Sequence, residues 1–421
     1  MAGIYIHIPF CASFCRYCSF YSERCTDPAV MARYVDALLQ EISEADTLQL
    51  FPVSQKQGHW EQKDAKMRPV SPKMGHQEHC ATIYIGGGTP SLLPVKQLER
   101  IVAGIRYKFL QSGSEVPEIG NKTPVFCSRK EFEEFTLEAN PDDITPEKLA
   151  AWRRLGVNRL SIGVQSFCDA HLRWMCRRHT AAQAETAVRL AREAGFDNIS
   201  LDLIFGFTGL SDEEWRATID RALSLHPEHL SCYQMSVEEG STLGEEAAAG
   251  AYAPPAQETC ARQYALLQQR VAAAGYLQYE VSNFALPGRE AKHNSAYWRR
   301  EPYWGFGPGA HSYDGDRIRS WHCLDIDTYL ANFSGNPVPA TSILDFETLS
   351  DKDLANEKVM LSLRTAAGLD LDNLAPEHLA AIRPTLDRML EEGRLVPTKK
   401  GLRIPADRLF VSDAIIADLF L

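Results

Sequence analysis

No uncharged apolar run in this chain of 421 residues approaches the roughly 18 residues that a membrane-spanning helix needs, so no transmembrane segment is expected. Basic charge is also in deficit. Lys and Arg number 44 against 55 Asp and Glu, a net charge of −11, which argues against steering onto nucleic acid or anionic lipid. The first ten residues read as a strand and not as a signal peptide. Without such a signal, an odd total of 11 cysteines does not read as a disulfide framework. A reducing, cytoplasmic location suits free thiols. Hydrophobic content of 45% and charged content of 24% are those of a globular protein. The length allows two or three domains, or one large barrel with an extension.

Short apolar strands alternate with amphipathic helices along most of the chain. Strands are expected at 4–8, 82–85, 134–138, 159–164, 199–204 and 229–235, and helices at 30–47, 94–109, 146–155, 181–194, 212–225 and 257–274. Six such units with β-branched strands predict an α/β fold, a parallel sheet covered by helices. Six are too few for a closed eight-stranded barrel, so a partial (β/α)6 barrel over 1–275 is expected, its site at the C-terminal strand ends. Two polar stretches, near 51–80 and 111–130, read as surface insertions. His59, His76, His79 and Cys80 in the first are irregularly spaced, and read as solvated loop. Residues 276–344 read as a linking region rich in aromatics. Residues 345–421 read as a small α+β, winged-helix-like domain, with helices at 354–365, 377–382 and 385–392 and a hairpin at 393–405. From Asp345 onward, 14 acidic residues face 10 basic ones, which favours packing or protein interaction over DNA reading.

Cys11, Cys15 and Cys18, spaced C-x3-C-x2-C, follow the first strand directly. Three thiolates leave one iron of a cubane cluster without a protein ligand, and the neighbouring Phe14 and Tyr17 would shield it. A structural zinc site with Cys25 as fourth ligand is the competing reading, although no second knuckle accompanies the three. Farther on, Gly86, Gly87 and Gly88 precede Thr89 at a strand end, either a tight turn or a place where the backbone approaches a ligand. Glu138 ends a buried strand, where a carboxylate needs a partner. Gln165 closes another, Arg177 lies twelve residues beyond it and is suited to a carboxylate, and Asp202 interrupts an otherwise apolar strand. Taken singly, each also fits a buried structural hydrogen bond.

The cysteine spacing and these strand ends resemble the radical S-adenosylmethionine (SAM) superfamily. The run Tyr5-x-His7-x-Pro9-Phe10-Cys11 resembles the branch that holds the oxygen-independent coproporphyrinogen III dehydrogenases (HemN) and the HemW-type heme chaperones. The resemblance covers most of the chain, apart from the two polar inserts and Phe207-Thr208-Gly209, where the family more often has Leu-Pro-Gly. It implies a [4Fe-4S] cluster on Cys11, Cys15 and Cys18, with SAM chelating the free iron and cleaved by one electron from a donor such as flavodoxin or ferredoxin. Tyr5, Tyr17, Gly87, Gly88, Thr89, Glu138, Gln165, Arg177 and Asp202 would line the SAM pocket. Three features divide the branch. The dehydrogenases usually carry another cysteine at the position of Phe20 and a long N-terminal extension, whereas ten residues precede Cys11 here. His293-Asn294-x-x-Tyr297-Trp298 resembles the chaperones' heme signature, with His293 as axial ligand and the rings as stacking faces. The resemblance therefore implies a heme-delivering chaperone acting on heme-requiring target proteins. A coproporphyrinogen dehydrogenase is the first alternative, and a radical SAM enzyme modifying RNA, which would need a basic module, is the second.

Overall fold

A computed structural model describes residues 3–45, 81–110, 132–333 and 344–421. Both expected insertions, with His59, His76, His79 and Cys80, lie outside the described residues. Six parallel strands form the centre: β1 (Gly3–Ile8), β2 (Thr82–Gly87), β3 (Glu134–Ala139), β4 (Arg159–Gln165), β5 (Ile199–Phe205) and β6 (His229–Gln234). They are hydrogen-bonded in that order, with Ile6 opposite Ile85, Ile85 opposite Leu137, and Leu137 opposite Leu160. Each is followed by a covering helix: α1 (Pro28–Glu44), α2 (Val95–Leu110), α3 (Pro146–Arg154), α4 (Ala181–Glu193), α5 (Asp212–Ser224) and α6 (Gln257–Ala273).

Local chemistry sets these boundaries. Asp27 caps α1 by accepting from the Ala29 amide at 2.8 Å, with Pro28 at the first helical position. Reciprocal capping boxes start α4 at Thr180 and Gln183, and α5 at Ser211 and Glu214. The strands alternate more than a fully apolar reading implies. Ile4, Ile6, Ile83, Ile85, Leu137, Leu160, Ile162 and Leu201 are fully buried in the core. On the other face Tyr84 bonds Glu138, Arg159 bonds Thr136, Ser161 bonds Asp202 and Ser200 bonds His229, each across strands. The sheet thus carries an apolar layer under its helices and a polar one inside the barrel.

Segment 276–344, expected to link two domains, instead extends the same sheet on both sides. Tyr303–Phe306 lies parallel to β1, and His311–Tyr313, Ile318–His322 and Leu344–Thr348 continue from it antiparallel. At the other edge Asn283–Ala285 runs antiparallel to β6, followed by Leu277–Gln278. The barrel thus stays an open sheet of 12 strands among the described residues. Beyond it, helices Asp351–Leu363, Pro376–Glu391 and Ser412–Ala417 pack with a three-stranded sheet of Leu369–Asp370, Val396–Pro397 and Gly401–Arg403. Pro384 does not split the second helix as the sequence reading expects. It sits inside one continuous helix, whose buried face of Ile382, Leu386 and Met389 compensates for the hydrogen bond that proline removes.

Candidate functional site

The C-terminal ends of β1 to β5 bring most of the predicted residues together. Beyond Ile8 the chain makes the cysteine loop, anchored at three points. The Cys25 amide donates to the Cys11 carbonyl at 3.0 Å, the Arg16 amide to Met175 O at 3.2 Å, and the Leu243 amide to Arg16 O at 2.8 Å. The Arg16 guanidinium lies over the Trp174 ring and bonds Glu246 at 2.8 Å, so the loop is held rigidly against the strand ends.

A chain of contacts links two of the three thiols to the barrel rim. Cys11 Sγ meets Thr89 Oγ1 at 3.4 Å, and Asn140 Nδ2 donates to the same hydroxyl at 3.4 Å. Arg177 Nη2 donates to Asn140 Oδ1 and to the Gly163 carbonyl, each at 2.6 Å, while Nη1 lies 3.4 Å from Cys15 Sγ. The Arg177 Nε is buried without a partner among the described residues, a donor left over for a ligand. Tyr17 packs on the core beside Cys15. Burial pushes the Cys11 thiol up, and the Cys18 thiol up to about 11, so these sulfurs hold their protons until a metal displaces them.

The glycines supply the space. A Cβ on Gly88 would lie 2.8 Å from the Phe10 carbonyl oxygen and 3.1 Å from Cys11 Sγ, and Gly87, at φ +109°, has His7 at 2.8 Å. A side chain at Gly88 would collide with the cysteine loop, and one at Gly87 with the end of β1.

Inside the mouth stand two carboxyls. Glu138 accepts from Tyr84 OH at 2.6 Å and from the Gly87 amide at 3.2 Å. Solvent reaches it partly through the open mouth, yet protein surrounds it on most sides. Burial pushes it up to about 7 against the bonds from Tyr84 and Gly87. Asp202, held by Ser161 Oγ at 3.1 and 3.2 Å, is pushed by burial up to about 6. Among the described residues neither forms a salt bridge, so both keep acceptor capacity for a ligand's donors. Tyr5 lies beside them, its hydroxyl 3.1 Å from His7 Nδ1 and its pKa raised by burial and by Glu138. Gln165 is buried and holds φ +65° where the β4–β5 register shifts, a strained conformation of the kind that clusters at binding sites. Tyr84 and Asn140 belong to the same constellation and were not singled out from sequence. Their signal was placement alone, one inside the strand before the glycines and the other just after Glu138.

His293 stands apart. It lies in the short helix Lys292–Trp298, 1% exposed, at the N-terminal ends of the strands. Nδ1 meets Thr82 Oγ1 at 2.8 Å, Nε2 meets Tyr297 OH at 2.8 Å, the ring stacks on Tyr84 at 5.2 Å, and Glu134 takes the backbone amide at 3.0 Å. Burial and Arg159 hold its pKa down to about 3. The structure does not bring it to the mouth, and in this conformation neither ring nitrogen is free for iron.

Residues 5–222 match the model of the radical SAM superfamily. The heme chaperone HemW of Bacillus subtilis is 34% identical over 399 residues, covering 94% of this chain and 93% of its own. The chain belongs to the HemW family of radical SAM proteins. HemW of Mycobacterium tuberculosis is 33% identical over 96% of this chain and 93% of that protein, and HemW of Escherichia coli 32% identical over 73% and 69%. Among solved structures, the radical SAM enzyme coproporphyrinogen III oxidase (HemN) of Escherichia coli superposes with a TM-score of 0.74 at 21% identity, covering 100% of this chain and 90% of that one. That likeness establishes the fold of this chain. No helix among the described residues is long and apolar enough to cross a membrane.

Proposed function

We propose that this chain is a heme chaperone, carrying a [4Fe-4S] cluster and SAM at the barrel mouth and handing heme to heme-requiring proteins in a reducing, cytoplasmic compartment. The observation that carries the reading is similarity to HemW spanning 94% of this chain and 93% of that relative, with the predicted cluster and SAM groups gathered on one rim. When bound, the cluster and SAM supply one-electron chemistry, with flavodoxin or ferredoxin as the class of donor. Cys11, Cys15 and Cys18 hold iron. Arg177 sets a positive charge beside Cys15 and keeps a buried Nε without a partner among the described residues, which suits a carboxylate. Gly87, Gly88 and Thr89 let the ligand approach the backbone. Glu138 and Asp202 accept from ammonium or ribose donors, and Tyr5, Tyr17 and Gln165 wall the pocket.

The test is transfer. Heme-loaded protein mixed with an apo heme enzyme is expected to restore that enzyme's activity, and failure to release heme to any acceptor would remove the reading. The dehydrogenase alternative is separated by incubation with coproporphyrinogen III, SAM and a working reductant. The position of the dehydrogenases' extra cysteine is taken here by Phe20, 73% exposed and without a thiol. No protoporphyrinogen IX is expected, and steady turnover would favour the alternative.

Glu138 makes SAM binding pH-dependent. Burial pushes its carboxyl up to about 7, and a donor on SAM needs it ionised. Affinity is expected to fall toward about tenfold per unit as pH drops below 7. Glu138→Gln should bind more weakly and lose the fall centred on pH 7, keeping only a shallower one toward pH 6 as Asp202, pushed up to about 6, takes its proton, measured by calorimetry. The same shift stabilises the ligand-free fold below the ordinary value of 4.5, and this contribution is lost as pH rises through 7, because the folded chain keeps a proton that the unfolded chain releases.

A further inference from the structure

On the rim beyond β4, outside the cluster loop, a second set of ligand atoms converges. Cys168 Sγ, one nitrogen of His171 and one oxygen of Glu214 all lie within 4.8 Å of one another. His171 Nε2 stands 3.6 Å from Glu214 Oε1. That is too long for a hydrogen bond, yet it matches the edge of a coordination tetrahedron with metal–ligand lengths of about 2.0–2.3 Å. Cys168-Asp169-Ala170-His171 is a C-x2-H step leading into the short helix Asp169–Trp174. Glu214 lies one turn into α5.

Each ligand is already aimed. Ser166 Oγ meets His171 Nδ1 at 3.2 Å and accepts from the Cys168 amide at 3.1 Å, so the ring is fixed with Nε2 facing Glu214. Ser211 donates to Glu214 Oε2 from its amide at 3.0 Å and from its hydroxyl at 2.9 Å, leaving Oε1 toward His171. Such contacts behind the ligands orient metal sites. Phe207 closes one side, edge-on to His171 at 5.1 Å, while Cys168 and Glu214 remain open to solvent.

We propose that Cys168, His171 and Glu214 form a site for a single divalent cation of the zinc class, water completing the coordination. One sulfur, one nitrogen and one oxygen donor suit zinc or cobalt and disfavour magnesium and calcium, which take oxygen. The site fastens the loop after β4, which carries Gln165 before it and Arg177 after it, to the start of α5. It is separate from the cluster and stands whether or not the heme reading holds.

The test uses the full chain with its cluster reconstituted, so that the loop thiolates are occupied by iron. Dialysis against zinc is expected to add one zinc per chain and to raise the melting temperature, with a zinc-edge absorption spectrum showing one sulfur neighbour. Cys168→Ser should remove that sulfur signal and weaken uptake at least tenfold. Glu214→Gln, which keeps the capping box, should weaken uptake similarly while iron content stays constant. Equal zinc uptake by the wild type and both variants would overturn the site, as would a zinc edge with several sulfur neighbours.

Discussion

Cys15→Ala is expected to lower bound iron after anaerobic reconstitution from about four per chain, the cubane stoichiometry, to below one, and to abolish the spectral response to SAM. Two thiolates grip a cubane at only two corners, and the substitution also removes the sulfur that lies 3.4 Å from Arg177 Nη1. The fold should persist, since Cys15 is only partly buried and the loop is anchored through the backbone of Cys11, Arg16 and Cys25. Cys25→Ala is the counterpart. Cys25 Sγ turns toward the Asp27 carbonyl, 4.0 Å away, so its loss should leave about four irons in place. Loss of metal in the Cys25 variant would revive a four-cysteine site. Full iron with a normal SAM response in the Cys15 variant would dismiss the cluster assignment.

The barrel was legible because each unit paired two local signals, a short apolar strand and an amphipathic helix. Helices expected at 181–194 and 212–225 start in the structure behind capping boxes at Thr180 with Gln183 and Ser211 with Glu214. The sheet edges were less so. Tyr303–Phe306 is short, and its place beside β1 depends on a contact between residues some 300 positions apart, which no local period encodes. Pro384 misled for the opposite reason: a local rule was overridden by packing of the face around it. At the site, residues that end strands were predicted from position, and the barrel gathers them on one rim. Tyr84 and Asn140 were missed because their roles exist only across strands, toward Glu138 and Arg177. The opposite end was illegible. Nothing in the run from His293 to Trp298 reveals that Thr82 and Tyr297 occupy both imidazole nitrogens.

That occupancy gives the heme prediction its form. If His293 is the axial ligand, iron must compete with Tyr297 for Nε2, and heme binds a minor, opened conformation of the short helix. Tyr297→Phe keeps the aromatic face and deletes one hydrogen bond to the imidazole, about 1 kcal/mol. Heme affinity is therefore expected to rise about fivefold at an unchanged Soret position. His293→Ala should shift or lose the Soret band while the cluster and SAM response remain, because the ring lies at the far ends of the strands from Cys11. It leaves Thr82 and Tyr297 unpaired in a buried space, a cost of about 2–4 kcal/mol, so melting curves must show that the variant is folded when its spectrum is read. His311, exposed and stacked on Trp321 at 5.5 Å, is the control, and its replacement should change heme binding little. A folded His293→Ala with the wild-type Soret band, or a Tyr297→Phe whose heme affinity does not rise, would leave His293 as the pin between the short helix and the barrel floor and move the search for the heme ligand elsewhere.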